Sequence, residues 1–164
     1  MIDAIKTFLI DVLGAHFGVM ICAMIPIIEL RGAIPLGAGL GLPFWQTFLL
    51  SIVGNLLPVP FILLFIRWAL NAMKKVKGLR RVALWLEEKV EKKREKVEKY
   101  AFWGLLLFVA IPLPGTGAWT GSLIAGATGM RFSRSFVSVL CGVLVAGVIM
   151  TAVSYGVVAV FNWL

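Results

Sequence analysis

Apolar runs interrupted by prolines and glycines dominate the first part of the chain. The runs Ala15 to Ile25 and Ala33 to Leu42 are each too short to cross a bilayer as a helix, which needs about 20 residues. Pro26 follows the first run, and Pro43 ends the second. Broken helices at membrane depth are tolerated only where the backbone is buried in protein or lines a cavity. The pattern therefore predicts two half-length helices folded into a re-entrant hairpin with a broken tip.

The next apolar run, Phe44 to Ala72, is long enough to cross the membrane with some tilt. Pro58 and Pro60 lie inside it, and a proline removes a helical hydrogen bond and clashes with the preceding turn. We therefore predict one spanning helix with a kink near these prolines. Asn55 lies one turn earlier, and we include it among the candidate site residues.

The second half of the chain repeats this layout. A short apolar run, a break at Pro112 to Gly117, a second short run and a long apolar run follow one another; the three runs are 101–111, 118–128 and 132–163. Ile25 and Pro26 match Ile111 and Pro112, which lie 86 residues later. At a separation of 88 residues, four further positions are identical: Gly41/Gly129, Phe44/Phe132, Phe48/Phe136 and Gly54/Gly142. The shared layout predicts a duplicated unit.

These patterns predict an all-α integral membrane protein that forms a single membrane domain. We assign residues 1–14 to an amphipathic helix in the interface, 15–73 to the first repeat, 74–100 to a charged helical segment and 101–164 to the second repeat. The charged segment favours a solvated helix or helical hairpin between the repeats. Two other interpretations remain open for it: a coiled coil that forms a homodimer, and an arm that lies on anionic lipid.

Composition and charge support a membrane protein. Hydrophobic residues make up 60% of the 164 residues, and the mean hydropathy is +0.97. The net charge of +8 is concentrated in segment 74–100, which carries 11 basic and 5 acidic residues. A single basic segment beside apolar spans is typical of the cytoplasmic side of a membrane and not of a nucleic-acid partner. We therefore predict that segment 74–100 is cytoplasmic.

Charge also predicts how the two repeats are oriented. The corner between hairpin and span carries Arg131 and Arg134 in the second repeat, but Pro43 and Gln46 in the first. Only the second corner is therefore expected on the cytoplasmic side. The repeats would be inverted, with one hairpin entering from each face and the two tips meeting near the midplane. Inverted-repeat transporters bind their substrates there.

The first tip carries two ionisable residues, Glu29 and Arg31, followed by Gly32. An ionisable group at membrane depth is unfavourable by roughly 2.5–3.5 kcal/mol on insertion scales, so a functional site is the first hypothesis. The guanidinium of Arg31 suits a phosphate or a carboxylate, and Glu29 suits a proton or a cation. The alternative is that the two side chains pair with each other and only hold the hairpin closed.

The second tip is uncharged but is expected to attract an anion. It combines Pro112, Pro114, Gly115, Thr116 and Gly117 with the predicted start of a half-length helix. Free N–H groups and the positive end of the helix dipole favour an anion at such a terminus, and the glycines let a ligand approach the backbone.

Two further residues, Trp119 and Thr120, lie just inside this predicted half-length helix. Trp119 is interpreted either as a cavity wall or as an ordinary packing residue. No metal or cofactor is expected, because Cys22, Cys141 and His16 lack the spacing of a ligand cluster. No nucleophile and base pair is recognisable either, so an enzyme is not predicted.

The segments ELRGAIP (Glu29 to Pro35) and IPLPGTGAWTG (Ile111 to Gly121), joined by a basic segment, resemble the small multidrug export proteins of bacteria and archaea. The layout is also similar to the wider DedA/VTT superfamily. That resemblance implies a prokaryotic inner membrane, facing re-entrant hairpins and substrates such as undecaprenyl phosphate or drugs. It also implies that Glu29 corresponds to the acidic residue of the first DedA hairpin.

The chain departs from the DedA pattern at the second hairpin. DedA proteins carry arginines on either side of the proline there, whereas this chain has Phe108, Val109, Thr116 and Gly117. Arg31 on the opposite hairpin would then supply the charge that binds phosphate.

Three functional hypotheses follow. The first is a transporter or flippase for an anionic lipid, with phosphate held by Arg31 and the Gly115 to Gly117 amides, and with Glu29 coupled to a proton or sodium ion. The second is proton-coupled export of a cationic small molecule through Glu29. The third is a membrane scaffold that transports nothing. The expected partners are membrane lipids and either an anionic lipid phosphate or a small-molecule substrate.

Overall fold

The structure, a computed structural model, describes residues 14–75, 94–113 and 115–163. This part of the chain is helical: α1 (Gly14–Met24), α2 (Glu29–Gly39), α3 (Phe44–Leu56), α4 (Val59–Lys75), α5 (Arg94–Ala110), α6 (Ala118–Ala127) and α7 (Phe132–Trp163). The predicted interfacial helix apart from Gly14, residues 76–93 of the charged segment and Pro114 lie outside the described residues. Helix α5 begins at Arg94, so the end of the predicted charged segment is continuous with the short apolar run that follows it.

Two helical stretches in the described part are long and apolar enough to cross a membrane, and both lie within the runs that were predicted to span it. They are Phe44–Ile66 and Phe132–Val160, with hydropathies of 2.4 and 2.5. The first stretch contains a two-residue break between Leu56 and Val59, where α3 gives way to α4. The break confirms the predicted kink, because Pro58 and Pro60 cannot donate the hydrogen bonds that an uninterrupted helix requires.

Short helices separated by breaks precede each of these stretches. Residues 25–28 separate α1 from α2, and residues 111–117 separate α5 from α6. Helix α2 begins four residues before the predicted start at Ala33, so Glu29 and Arg31 lie in its first turn. Gly32 and Pro35 are poor helix formers, but α2 packs against both α3 and α7. Tertiary packing therefore outweighs the low helix propensity of these two residues.

Helices α2 and α6 end in the same way. Gly41 and Gly129 adopt φ values of 72° and 70°, which suit glycine because it has no Cβ. The N–H of Leu42 donates to the Gly37 carbonyl at 3.0 Å, and the N–H of Met130 donates to the Ala125 carbonyl at 3.1 Å. These are Schellman motifs, and their three residues lie 88 positions apart in the chain.

The core lies where each short helix meets the long helices. Helix α2 packs on α3 and α7, and α6 packs on α4 and α7. The largest buried apolar side chains come from several of these helices: Leu30, Ile34, Leu63, Val109, Val139 and Val143. The core therefore joins the two halves of the chain instead of filling each half separately.

Two glycines bring long and short helices into backbone contact. A Cβ at Gly54 would overlap the Met20 carbonyl oxygen of α1, and a Cβ at Gly142 would lie 2.8 Å from the Leu106 carbonyl oxygen of α5. Gly142 follows Gly54 by 88 positions, and Leu106 follows Met20 by 86. Both halves of the chain therefore use a glycine at the corresponding position for the same close helix contact.

We expect Gly54→Ala and Gly142→Ala each to lower the free energy of unfolding by about 1–3 kcal/mol, because the added methyl group meets backbone that cannot move aside locally. Unfolding in detergent micelles, followed by circular dichroism, measures the change. Gly104→Ala is the matched control, since Gly104 lies within a helix and has no neighbour within 4 Å of the added carbon. Equal stability of all three variants would show that the helices do not meet at these glycines.

Candidate functional site

Glu29 begins α2 in an unusual backbone conformation. Its φ is 49°, a left-handed value that is uncommon for any residue except glycine, and its side chain is only 4% exposed. Such a conformation is unfavourable by about 1 kcal/mol or more and persists where the surroundings hold it in place. Contacts of the Glu29 carboxylate with the other half of the chain supply this restraint.

The carboxylate of Glu29 lies at the N-terminus of α6. Its Oε1 accepts a hydrogen bond from the backbone N–H of Trp119 at 3.2 Å, and the Ala118 amide also interacts with it. Ala118 and Trp119 are the first two residues of α6. A negative charge at this position is stabilised by the free N–H groups and by the positive end of the helix dipole.

Arg31 pairs with Glu29 and also binds the end of α5. Its Nη1 lies 2.6 Å from Oε2 of Glu29. Its Nη2 donates to the carbonyl oxygen of Ile111 at 3.1 Å and of Val109 at 3.4 Å. These carbonyls belong to the last turn of α5 and the break that follows it, where helical carbonyls lack partners within the helix. The guanidinium therefore joins the first break to the second.

Thr116 supports this arrangement from the second break. Its hydroxyl oxygen accepts a hydrogen bond from Nη2 of Arg31 at 3.0 Å. The same hydroxyl lies within donating distance of the carbonyls of Ile111 (2.8 Å) and Leu113 (2.9 Å). Thr116 therefore folds the break back on itself and presents an oxygen to Arg31.

Gly117 is the point at which the two breaks come closest. A Cβ at this position would overlap the Glu29 carboxylate and would lie 2.5 Å from Nη1 of Arg31. Any other residue would displace the ion pair or the start of α6. Glycine is therefore required at position 117 for its lack of a side chain, since its φ of 163° is ordinary extended backbone.

Trp119 of the second half contacts the first half in the way that Arg31 of the first half contacts the second. Its indole N–H donates to the Met24 carbonyl at the end of α1, at 3.1 Å. Trp119 follows Arg31 by 88 positions, and Met24 precedes Ala110, the last residue of α5, by 86. Each half of the chain thus uses a side chain from its second short helix to bind carbonyls at the end of the other half's first short helix.

The structure brings together five of the predicted site residues: Glu29, Arg31, Thr116, Gly117 and Trp119. It also shows that Glu29 and Arg31 pair with each other, which was the alternative left open. The helix N-terminus that was expected to attract an external anion is occupied by the Glu29 carboxylate. The reason is geometric, because Gly117 leaves space for that carboxylate beside the α6 amides.

The other predicted site residues make no hydrogen bond with Glu29 or Arg31 in the described part of the chain. Gly32 faces Ile28, while Pro112, Gly115 and Thr120 make no described contact with Glu29 or Arg31. Gly115 has a φ of 82° and so shapes the turn of the second break. Asn55 is fully buried, and its side chain has no hydrogen-bond partner in the described part of the chain.

Among the polar contacts that the prediction missed is that of Tyr155. Its hydroxyl lies 2.7 Å from the Leu42 carbonyl oxygen and 2.8 Å from the Thr47 hydroxyl. A polar aromatic residue inside a mainly apolar span was the available signal, because a buried tyrosine hydroxyl usually has a partner. The contact holds the second long helix against the start of α3.

Two apolar helical stretches of spanning length, combined with a buried ion pair where broken helices meet, define the class of an α-helical membrane protein. The family model described as "Putative small multi-drug export protein" matches residues 29–149, and the chain belongs to this family. The match begins at Glu29 and includes the whole second break. Comparison with curated proteins and with solved structures gave no match.

Proposed function

We propose that the protein transports an anionic lipid, such as a polyprenyl (undecaprenyl) phosphate, and recognises its headgroup at the Glu29 and Arg31 pair. The observation that carries this proposal is the placement of the Glu29 carboxylate between the α6 amides and the Arg31 guanidinium. Amides at a helix N-terminus and a guanidinium are the groups that bind phosphate in proteins. The carboxylate therefore takes the place that a phosphate headgroup would occupy.

Exchange between the carboxylate and the headgroup is the proposed mechanism. Two anions at one site repel each other, so the headgroup enters only when Glu29 leaves the site or takes up a proton. A protonated Glu29 no longer attracts Arg31 electrostatically, and the guanidinium and the α6 amides can then bind phosphate. Headgroup binding is thereby coupled to proton uptake, which assigns Glu29 the coupling role.

The proposed architecture is an inverted repeat of hairpin and span. Several contacts support it: the two Schellman motifs, the two glycine contacts of the long helices, and the exchange of side chains by Arg31 and Trp119. Glu29 also meets Gly117, which follows it by 88 positions. Corresponding positions contact each other where a two-fold axis passes between two copies. In the proposed architecture the ion pair lies near this axis, where transporters built from inverted repeats have their substrate sites.

A second candidate function is export of a cationic small molecule. The family description, which names small multi-drug export, favours it. In this mechanism Glu29 leaves Arg31 and pairs with the cation, while Arg31 remains bound to the carbonyls at the end of α5. Both mechanisms depend on the Glu29 carboxylate. Only lipid transport requires Arg31 to bind the substrate.

Transport by reconstituted liposomes separates these functions. With a fluorescent polyprenyl phosphate as substrate, we expect Arg31→Lys to lower the initial rate at least tenfold, because lysine keeps the charge but loses the planar donor fork. The structural role of Arg31 in binding carbonyls is partly retained by lysine. Transport of ethidium, a cationic small molecule, is measured in parallel with liposomes that contain the same variants.

The control is Gly39→Ala, at a position where the added carbon meets no atom within 4 Å. It should transport at the rate of the unmodified protein. Ethidium transport that is retained in Arg31→Lys and lost in Glu29→Gln, with no movement of the lipid, would replace the first function by the second. Unchanged lipid transport in Arg31→Lys would contradict recognition of phosphate by the guanidinium.

A further inference from the structure

A row of polar side chains follows one face of α3. Thr47, Ser51 and Asn55 are spaced four residues apart, and all three are fully buried. They lie inside the first apolar stretch, whose hydropathy is 2.4. Helix α7 packs on α3 and carries Thr151, Ser154 and Tyr155. We name these six residues the polar column.

Helix contacts show how the polar column is arranged. Gly37 of α2 lies against Thr47, and α2 and α3 run in opposite directions through the turn that joins them. Glu29 lies eight residues before Gly37 in α2, and Asn55 lies eight residues after Thr47 in α3. Since both helices rise by the same distance per residue, Asn55 lies near the level of the ion pair.

The other end of the polar column is at the corner between α2 and α3. The Tyr155 hydroxyl bonds there to the Leu42 carbonyl and to Thr47. Gly147 packs against Phe48 and Ile52, and Tyr155, further along α7, meets Thr47, so α7 runs opposite to α3. Thr151 lies midway between Gly147 and Tyr155, and we infer that it lies near the level of Ser51. The polar column therefore extends from this corner to the level of Glu29.

Most polar atoms inside the column have no protein partner. The hydroxyls of Ser51, Thr151 and Ser154 and both polar atoms of the Asn55 amide are buried without a hydrogen bond in the described part of the chain. An unsatisfied buried polar group is unfavourable by about 1–3 kcal/mol, and lipid offers it no partner. Five such atoms lie along one helix interface, whereas Thr47 and Tyr155 satisfy each other.

We propose that the polar column is a hydrated path that admits a small monovalent cation from the Tyr155 corner to the level of Glu29. In this proposal, water molecules bonded to the column satisfy its hydroxyl and amide groups. The column has no charged side chain and ends near a carboxylate, which favours a proton passed along water or a sodium ion. This inference rests on the proposed function in one respect, that Glu29 is the coupling group.

Cysteine accessibility in membrane fragments tests the path without measuring transport. Cys22 and Cys141 are first replaced by alanine, and single cysteines are placed at Ser51, Asn55 or Thr151. The fragments are exposed to Ag⁺, washed, denatured and labelled with a maleimide, so that a thiol reached by Ag⁺ is no longer labelled. Ag⁺ is a monovalent cation that enters narrow aqueous paths and reacts with ionised thiols, which exist in water but not in lipid.

Leu49→Cys and Val53→Cys are the matched controls, because they lie on the same helix and each native side chain is 52% exposed on the outer surface. We expect Ag⁺ to block the three column cysteines at least tenfold faster than these two. Ser51→Cys changes only one atom, so it remains a valid test if Asn55→Cys fails to fold.

Equal, slow reaction at all five positions would overturn the hydrated path and leave the lipid-transport proposal standing. Fast reaction of the column cysteines in a protein that moves no lipid phosphate would support the hydrated path and contradict the lipid-transport proposal. A column that is accessible to Ag⁺ in Glu29→Gln as well shows that the path does not depend on the ion pair. Sodium nitrate added to the Ag⁺ reaction at constant pH distinguishes the two cations: a path that sodium occupies reacts more slowly, whereas a path used only by protons reacts at an unchanged rate.

Discussion

Arg31→Gln is expected to lower the free energy of unfolding by about 3–5 kcal/mol, because it leaves the Glu29 carboxylate buried without a counter-ion. The double variant Glu29→Gln/Arg31→Gln should lose clearly less, since it removes both charges. Reversible unfolding in mixed detergent micelles, monitored by circular dichroism, provides the free energies for a double-mutant cycle.

The cycle contains its own control. The single variants Arg31→Gln and Glu29→Gln are each compared with the unmodified protein and with the double variant. A coupling free energy near zero would mean that water screens the pair, as it does for ion pairs at a protein surface. That result would contradict the burial of Glu29 at 4% side-chain exposure and of Arg31 at 16%.

Gly117→Ala is expected to have the largest effect on transport of any single methyl group added to the protein. The new carbon would occupy the space of the Glu29 carboxylate and crowd Nη1 of Arg31. We expect at least a tenfold loss of lipid transport in liposomes, because neither the carboxylate nor a phosphate headgroup could approach the α6 amides.

Gly39→Ala again serves as the control, since it adds the same methyl group to a helical glycine with open space around it. It should retain both the stability and the transport rate of the unmodified protein. Normal transport by Gly117→Ala would show that no ligand passes this point of the structure.

The sequence was sufficient to predict the long helices and their kink. Their apolar runs exceed the thickness of a bilayer, and Pro58 and Pro60 interrupt the hydrogen bonding of the first one. The breaks before each span were also predictable, because proline and glycine act through local backbone geometry. The start of α2 was not predictable in this way, since packing against α3 and α7 keeps Gly32 and Pro35 helical.

The ion pair illustrates what local patterns leave open. Two charges in an apolar chain indicate a site, but their partners depend on which distant backbone groups the fold brings near. Arg31 binds carbonyls about 80 positions away, and Glu29 binds an amide 90 positions away. A pattern of side chains does not reveal unpaired carbonyls and amides in a distant break, so neither contact could be derived from the sequence.

The role of Gly117 could not be predicted from the sequence for the same reason. Glycine in a break was interpreted as freedom for a ligand to approach the backbone, and the structure shows the Glu29 side chain in that space. Both interpretations depend on the missing Cβ. Only the three-dimensional arrangement shows that the protein's own carboxylate makes the approach.

Binding of a short-chain polyprenyl phosphate to the purified protein tests the central claim most directly, that Glu29 occupies the headgroup site. Native mass spectrometry at pH 6 and pH 8 measures the affinity of the unmodified protein, Glu29→Gln and Glu29→Gln/Arg31→Gln. If the carboxylate competes with the phosphate, Glu29→Gln binds at least tenfold more tightly and keeps only the pH dependence that comes from ionisation of the phosphate itself, whereas the double variant binds weakly. Relative to Glu29→Gln, the unmodified protein gains affinity at the lower pH, because a protonated Glu29 releases the site. Weaker phosphate binding by Glu29→Gln than by the unmodified protein would contradict the claim.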